Sequence, residues 1–154
     1  MMKNIFSIAL LSFLPISELR GAIPLALARG IPWYFAYPFS AICNVLVVPI
    51  CWLFLSTIHK SLLHLSWYQK IFERFVERTR KKLALPIEKW GALAIAFFIA
   101  IPLPLTGVWT GTLGAWLFGV PKGRTFLAAL LGVAVSGAVV TLIIILATSR
   151  AGVF

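Results

Sequence analysis

Four long apolar stretches cover most of the chain and restrict it to a membrane fold. They run over residues 5–28, 33–58, 90–118 and 126–148. A helix needs about 20 apolar residues to cross the hydrocarbon core of a bilayer. A chain that is 61% hydrophobic and only 12% charged also carries more apolar surface than soluble proteins do. We therefore predict an all-α integral membrane protein, with residues 1–154 forming a single membrane domain.

Prolines interrupt the first and third stretches near their centres, at residues 14–17 and 101–106. Proline removes a backbone donor and clashes with the preceding turn, so each stretch should form two short helices. Residues 5–14 would span about 15 Å, half of a core that is about 30 Å thick. We therefore predict re-entrant helical hairpins at 5–28 and 90–118, with transmembrane helices at 33–58 and 124–148.

The two interrupted stretches resemble each other when the chain is shifted by 89 residues. Residues 14–17 then fall on 103–106, and residues 30–32 fall on 119–121. A unit of one hairpin and one crossing helix reverses the orientation of the unit that follows. The sequence therefore predicts an inverted repeat, with residues 1–59 as the first copy and 90–149 as the second. Such repeats place transport sites where their broken helices meet.

The apolar pattern also fits two other structures. Residues 1–28 could be a signal peptide with cleavage after Ala28, but Glu18 and Arg20 separate the apolar core from that site. The same break also recurs at 103–106, where no cleavage is possible. A plain bundle of four kinked helices stays open as an alternative.

A basic segment separates the two repeats. Eight basic and three acidic side chains lie between residues 60 and 89, which marks the segment as cytoplasmic. Residues 66–85 have helical amphipathic spacing and should form an interfacial helix. Four of its cations are expected to anchor anionic lipid head groups, namely Arg78, Arg80, Lys81 and Lys82. Nucleic acid is not expected as a partner, because apolar segments flank this basic run.

Charged and hydroxyl side chains follow the first break. Ser17 and, in the second break, Thr106 are residue types that cap helix N-termini, and such N-termini attract anions. Glu18 and Arg20 need partners, since a charge inside the bilayer costs at least about 2.5 kcal/mol. Glu18 either neutralises Arg20 and holds the hairpin, or takes up and releases a proton while Arg20 attracts an anionic head group.

The second hairpin carries no charge. Its candidate substrate contacts are Thr106, Gly107, Trp109 and Thr110, which would face Ser17 and Arg20 of the first hairpin. Gly107 and Gly111 lie four residues apart, so close helix packing is the competing explanation for the glycines.

Neither a metal site nor an enzyme is expected. Cys43 and Cys51 are about 12 Å apart on one predicted helix, too far for a disulfide. His59 and His64 have no metal-ligand residues at the usual spacing. The membrane stretches also hold no paired nucleophile and base. We therefore predict no catalytic activity and no cofactor.

The chain resembles the small multidrug export family, which is a distant branch of the DedA superfamily. The residues that carry the likeness are Pro15, Glu18, Arg20, Ile23, Pro24 and Gly30 in the first hairpin and residues 101–104, Thr106 and Gly107 in the second. The resemblance implies opposed re-entrant hairpins and movement of lipids or lipid-linked carriers. DedA relatives generally carry further arginines in the second hairpin region, and residues 90–121 contain none.

The sequence thus predicts a transporter of the cell (inner) membrane. Its substrate would be an anionic amphiphile, either a phospholipid or a polyprenyl phosphate, with Glu18 as the proton-coupling group. A small cationic drug exporter and a structural or regulatory subunit are the alternatives. Membrane lipids are expected partners. A homo-oligomer is expected because two crossing helices shield little of a polar centre.

Overall fold

The protein is described here by a computed structural model that covers residues 2–102 and 106–150, with the backbone alone for residues 2–4, 60 and 150. Within this part of the chain all regular structure is α-helical, which confirms the all-α prediction. The helices are α1 Met2–Phe13, α2 Glu18–Ala28, α3 Trp33–Val45, α4 Val47–Ser56, α5 Ile58–Leu62, α6 Ser66–Trp90, α7 Ala92–Ala100, α8 Val108–Leu117 and α9 Lys122–Arg150.

Within the described residues, two helical segments are long and apolar enough to cross a membrane. The first, Trp33–Ser56, combines α3 and α4, which only Leu46 separates. The second, Lys122–Ser149, is nearly the whole of α9. With 24 and 28 residues, both exceed the roughly 20 residues that a crossing requires. They correspond to the segments predicted at 33–58 and 124–148.

The two proline-containing stretches each form a pair of short helices that fold back on each other. In the first pair, α1 and α2, Ile8 packs against Ala22 and Ala26. In the second pair, α7 and α8, the side chain of Ile99 lies against Gly111. These contacts are incompatible with one continuous kinked helix in either stretch. The predicted break residues Leu103, Pro104 and Leu105 lie outside the described residues.

The turns that leave the two pairs have the same backbone structure. Gly30 and Gly119 adopt positive φ angles of 74° and 68°. The N–H of the next residue then bonds back to the carbonyl oxygen five residues earlier, Ile31 to Ala26 at 3.0 Å and Val120 to Ala115 at 2.8 Å. This is a Schellman ending, in which glycine avoids the steric cost of a left-handed residue. The resemblance found at an offset of 89 residues therefore extends to local geometry.

Helix α6 is longer than the predicted segment 66–85, because it continues through Pro86 to Trp90. Its second half is held by tertiary packing on α7 and α8, with Thr79, Leu83 and Ile87 buried. This packing offsets the backbone hydrogen bond that a proline removes from a helix. The apolar residue Ile71, by contrast, is exposed.

Helix α9 packs along α7 and α3 through small residues. Gly132 touches the backbone of Ala96 and the side chain of Ile99, and Gly137 lies against the ring of Tyr37. The Tyr37 hydroxyl donates to the carbonyl oxygen of Ala134 at 2.8 Å. Close approach at small residues is the usual way in which membrane helices pack, and it fixes α9 against α7 and α3.

Candidate functional site

The two helix breaks meet at a small polar cavity. Its volume is about 10 Å³, roughly the room that one ordered water needs. Six of the predicted site residues lie around it. The lining consists of Pro15, Ile16, Ser17, Glu18, Arg20, Thr106, Gly107 and Thr110. The structure therefore brings together the two segments whose contact the sequence repeat predicted.

The Glu18 carboxylate caps the N-terminus of α8. It accepts hydrogen bonds from the backbone N–H groups of Val108 and Trp109 and is only 6% exposed. A negative charge at this position also complements the partial positive charge of a helix N-terminus. Glu18 itself has a φ of 48°, which is uncommon for a residue other than glycine. This backbone conformation directs the Glu18 carboxylate, which follows the first break, toward the second break.

Gly107 makes room for that carboxylate. A Cβ atom at this position would overlap both carboxylate oxygens of Glu18. The φ of Gly107 is −171°, which any residue can adopt, so space rather than backbone conformation accounts for the glycine. This answers the alternative that Gly107 serves helix packing, because the group that it accommodates is a charged side chain.

Ser17 and Thr106 do not cap helices, contrary to the sequence-based expectation. Ser17 Oγ donates to the carbonyl oxygen of Leu11 at 2.8 Å, and Thr106 Oγ1 donates to that of Ile101 at 2.9 Å. Both acceptors lie at the end of the preceding helix, where the last carbonyls lack helical donors. Glu18 supplies the cap of α8 instead. The two hydroxyls therefore stabilise helix C-termini rather than N-termini.

Arg20 binds the backbone of the second break. Its Nη2 donates to the carbonyl oxygen of Ile101 at 3.1 Å and to that of Thr106, and Thr106 Oγ1 lies 3.4 Å away. A cation at the C-terminal end of α7 also complements the helix dipole. Glu18 stabilises the guanidinium through its opposite charge. Arg20 therefore binds both ends of the second break, and Glu18 caps the helix that follows it.

Trp109 connects the second helix pair back to the first. Its indole Nε1 donates to the carbonyl oxygen of Phe13, the last residue of α1, at 2.8 Å. Thr110 follows it on α8 and is buried. The indole N–H of Trp109 is thus already used between the two breaks, which leaves its ring as the part that a substrate would touch.

Asn44, which sequence reasoning did not single out, lies beside the Glu18 carboxylate. It is fully buried in α3. Neither of its amide atoms reaches hydrogen-bond geometry with any group in the described part of the chain. A signal was present in the sequence, because Asn44 is the only Asn or Gln between residues 33 and 58. A fully buried amide next to the carboxylate makes Asn44 a further member of the candidate site.

Comparison with known proteins identifies the family of this chain. Residues 18–139 match the family described as "Putative small multi-drug export protein". The chain belongs to this family. The match covers most of the chain and includes Glu18, Arg20, Asn44 and Gly107. Neither the curated proteins nor the solved structures contain a significant match.

Family membership and the two long apolar helices identify the protein as a membrane protein. The four cations predicted to anchor lipid head groups are all exposed on α6. The structure separates them into two sets, because Arg78 and Lys82 line a second cavity and Arg80 and Lys81 do not.

Metal-ligating residues do not cluster in the described residues, where no three His, Cys, Asp or Glu side chains could share an ion. Cys43 and Cys51 are buried and unbridged, as expected from their spacing. His59 contacts aromatic rings, and its Nδ1 lies 3.0 Å from the Tyr68 hydroxyl. The groups available for chemistry at the helix breaks are therefore one carboxylate, one guanidinium, hydroxyls and backbone amides.

Proposed function

We propose that the protein transports an anionic amphiphile across the cell (inner) membrane. A phospholipid or a polyprenyl phosphate is the favoured substrate, and proton uptake at Glu18 is coupled to its movement. The two helix pairs act as re-entrant hairpins that enter from opposite faces, as in an inverted repeat. Helices α3–α4 and α9 cross the bilayer, and the basic helix α6 lies on the cytoplasmic side.

The observation that carries this proposal is the carboxylate of Glu18 at the N-terminus of α8, beside Arg20. Backbone N–H groups at a helix N-terminus bind phosphate as readily as carboxylate. An arginine next to them adds a charged donor that suits phosphate oxygens. Glu18 therefore occupies the position that a substrate phosphate would take.

Competition for this position links the proton to the substrate. While Glu18 is ionised, its charge repels a phosphate and its oxygens hold the N–H groups of Val108 and Trp109. A proton on Glu18 removes the charge and weakens those hydrogen bonds, so the phosphate can replace the carboxyl group. Intramembrane carboxylates commonly carry protons in this way. The proton and the anion would then bind together and leave together.

The hydrocarbon part of the substrate stays in the lipid. Ile16 lies at the tip of the first break, lines the cavity and is 90% exposed. An exposed apolar residue at this position fits a lateral opening through which an acyl or prenyl chain projects. Rocking of one helix pair against the other would then expose the site to either face of the membrane.

A transport assay with purified protein in liposomes tests the proposal. Movement of a fluorescent phosphatidylglycerol analogue between leaflets would be followed with and without a pH gradient. We expect Arg20→Gln to slow movement at least about tenfold, the equivalent of one charge-assisted hydrogen bond. Glu18→Gln should retain movement but lose its response to the gradient. The exposed carboxylate of Glu77 provides the matched control, Glu77→Gln.

Folding must be checked separately, because Arg20 also binds the carbonyl oxygens of the second break. Arg20→Lys keeps the charge but loses the planar donor pair, and it should give an intermediate rate. Both variants should elute from size-exclusion chromatography like the wild type. Wild-type rates in Arg20→Gln and an unchanged gradient response in Glu18→Gln would together refute anion transport at this site.

Export of small cationic drugs is the second candidate, and the family description favours it. Glu18 is the only acidic residue outside the segment 60–89, so it would be the counter-charge for a cation. Trp33, Trp109 and Trp116 would supply aromatic contacts for its rings. Ethidium efflux from cells separates the candidates, since drug export requires loss in Glu18→Gln and retention in Arg20→Gln.

We also propose that the working unit is a homo-oligomer. A second copy would shield the polar break from lipid, as the irregular backbone of a re-entrant segment requires. Chemical cross-linking in native membranes tests this, and a cross-linked dimer band is the expected result.

A further inference from the structure

The second cavity lies between α6 and α8 and has a volume of about 50 Å³. Its lining combines two cations, two hydroxyl groups and one aromatic ring, from Phe75, Arg78, Thr79, Lys82 and Thr110. Arg78 and Lys82 are four residues apart on α6, so their side chains project from the same face of the helix. Both remain exposed to a ligand arriving from outside.

Tertiary packing fixes the part of α6 that carries the two cations. Thr79 and Leu83, which each follow one of them in the chain, are almost fully buried. Leu83 sits against Gly114 of α8 so closely that a Cβ atom on that glycine would overlap it. Thr79 Oγ1 donates to the carbonyl oxygen of Phe75 at 2.8 Å. One wall of the cavity is therefore held by packing against α8, whereas a basic helix that only lies on a membrane surface has no such support.

Thr110 connects this cavity to the helix breaks. It lines the second cavity and also the first, which contains Glu18 and Arg20. Its position on α8 is directly after Val108 and Trp109, whose N–H groups bind the Glu18 carboxylate. One buried threonine therefore lies between the cation pair of α6 and the pair Glu18 and Arg20.

We propose that Arg78 and Lys82 form a binding site for a phosphate-bearing anion, which serves as the access site to the helix breaks. Two cations one helical turn apart bind phosphate oxygens through charge-assisted hydrogen bonds, and the hydroxyl of Thr110 supplies a further donor. Phe75 gives an apolar surface for the group attached to the phosphate. A lipid head group fits this combination better than free phosphate does. The role as an access site rests on the proposed transport function, whereas the binding site itself does not.

The chain provides its own control in Arg80 and Lys81. They lie on the same helix, carry the same charge and are also exposed, but they do not line the cavity. General attraction to an anionic surface would depend equally on both pairs, since each cation near such a surface contributes a similar amount. A specific site would depend on Arg78 and Lys82 alone.

Calorimetric titration of the purified full-length protein in neutral detergent tests the site. The probes are dihexanoyl phosphatidic acid, inorganic phosphate and zwitterionic dihexanoyl phosphatidylcholine. We expect Arg78→Gln/Lys82→Gln to weaken phosphatidic acid binding at least about tenfold, with less than about a twofold change for Arg80→Gln/Lys81→Gln. Arg78→Lys/Lys82→Arg keeps both charges and should retain most of the affinity.

The results distinguish a lipid head group from free phosphate as the ligand, and they test the binding site and the transport function separately. Tighter binding of phosphatidic acid than of inorganic phosphate supports a head-group site. Equal binding of the two supports a site for phosphate alone and contradicts the role of Phe75. Equal losses in the two glutamine pairs, or equal binding of phosphatidylcholine, would overturn the site. Arg20→Gln should leave this binding unchanged while it slows transport, so failure of the transport proposal would not be mistaken for failure of this one.

Discussion

Arg20 and Trp109 join the two helix breaks by reciprocal hydrogen bonds. Nη2 of Arg20 donates to the carbonyl oxygen of Ile101 at 3.1 Å, and Nε1 of Trp109 donates to that of Phe13 at 2.8 Å. The two residues lie 89 positions apart in the sequence, the offset that also relates Gly30 to Gly119. The second break thus uses a neutral indole where the first uses a guanidinium, so the junction contains one cation rather than two.

Trp109→Phe should destabilise the protein by removing this donor while keeping an aromatic ring. A net hydrogen bond contributes about 0.5–1.5 kcal/mol, and a buried acceptor left without a donor costs about 1–3 kcal/mol. We therefore expect a lower thermal unfolding temperature in detergent. Trp33→Phe is the control, because Trp33 is half exposed and should tolerate the change. Equal unfolding temperatures for the two variants would contradict the proposed role of the indole N–H.

Gly107→Ala should displace the Glu18 carboxylate. The added Cβ atom would occupy the space of both carboxylate oxygens, so the cap of α8 must move or break. Loss of a cap costs about 0.5–2 kcal/mol, and transport should fall together with stability.

The control for this substitution is Gly123→Ala on α9, where an added Cβ atom meets nothing within 4 Å. Alanine also has the higher helix propensity, so this variant should be neutral or slightly more stable. Both proteins would be compared by thermal unfolding and by the liposome assay. A Gly107→Ala protein that matches Gly123→Ala in both measurements would show that the carboxylate does not sit over Gly107.

Sequence reasoning located the breaks and the exit turns because local chemistry determines both. Prolines mark the two breaks, and the glycines at 30 and 119 provide the left-handed turns. The proximity of Glu18, Arg20, Thr106 and Gly107 also followed, since a repeated sequence suggested two equivalent breaks that meet. These inferences needed only backbone preferences and the internal repeat.

Hydrogen-bond partners that are distant in the sequence could not be predicted in this way. Ser17 and Thr106 were expected to cap helices, but the carboxylate that caps α8 comes from 89 residues away, and no local pattern shows such a pairing. Which of the four clustered cations face α8 depends on how α6 rotates about its axis. That rotation is fixed by packing of Thr79 and Leu83, which the amphipathic pattern of the first half of α6 did not indicate.

Gly30→Ala and Gly119→Ala should destabilise the protein by similar amounts. Each glycine has a positive φ, and neither has a neighbour within 4 Å of an added Cβ atom, so the cost is confined to the backbone. A left-handed conformation costs an ordinary residue about 1–2 kcal/mol. Asparagine tolerates it better, so Gly30→Asn and Gly119→Asn should recover part of the loss. Thermal unfolding in detergent measures all four. An alanine that costs nothing at either position would show that the turn there is not left-handed.

Stability should fall in mild acid because of His59. This residue is 5% exposed, and its ring contacts Tyr68, Phe72 and Trp116. Burial lowers the pKa of the imidazole below its usual value. Above about pH 6.5 the ring is neutral in both the folded and the unfolded chain, so its titration has no effect on stability. As the pH falls through that value, the unfolded chain binds a proton that the folded chain resists, and the free energy of unfolding decreases.

Thermal unfolding between about pH 8 and pH 5 should therefore show a smaller pH response in His59→Gln than in the wild type. His64→Gln, at an exposed histidine, should keep the wild-type response, and an unchanged response in His59→Gln would refute this assignment.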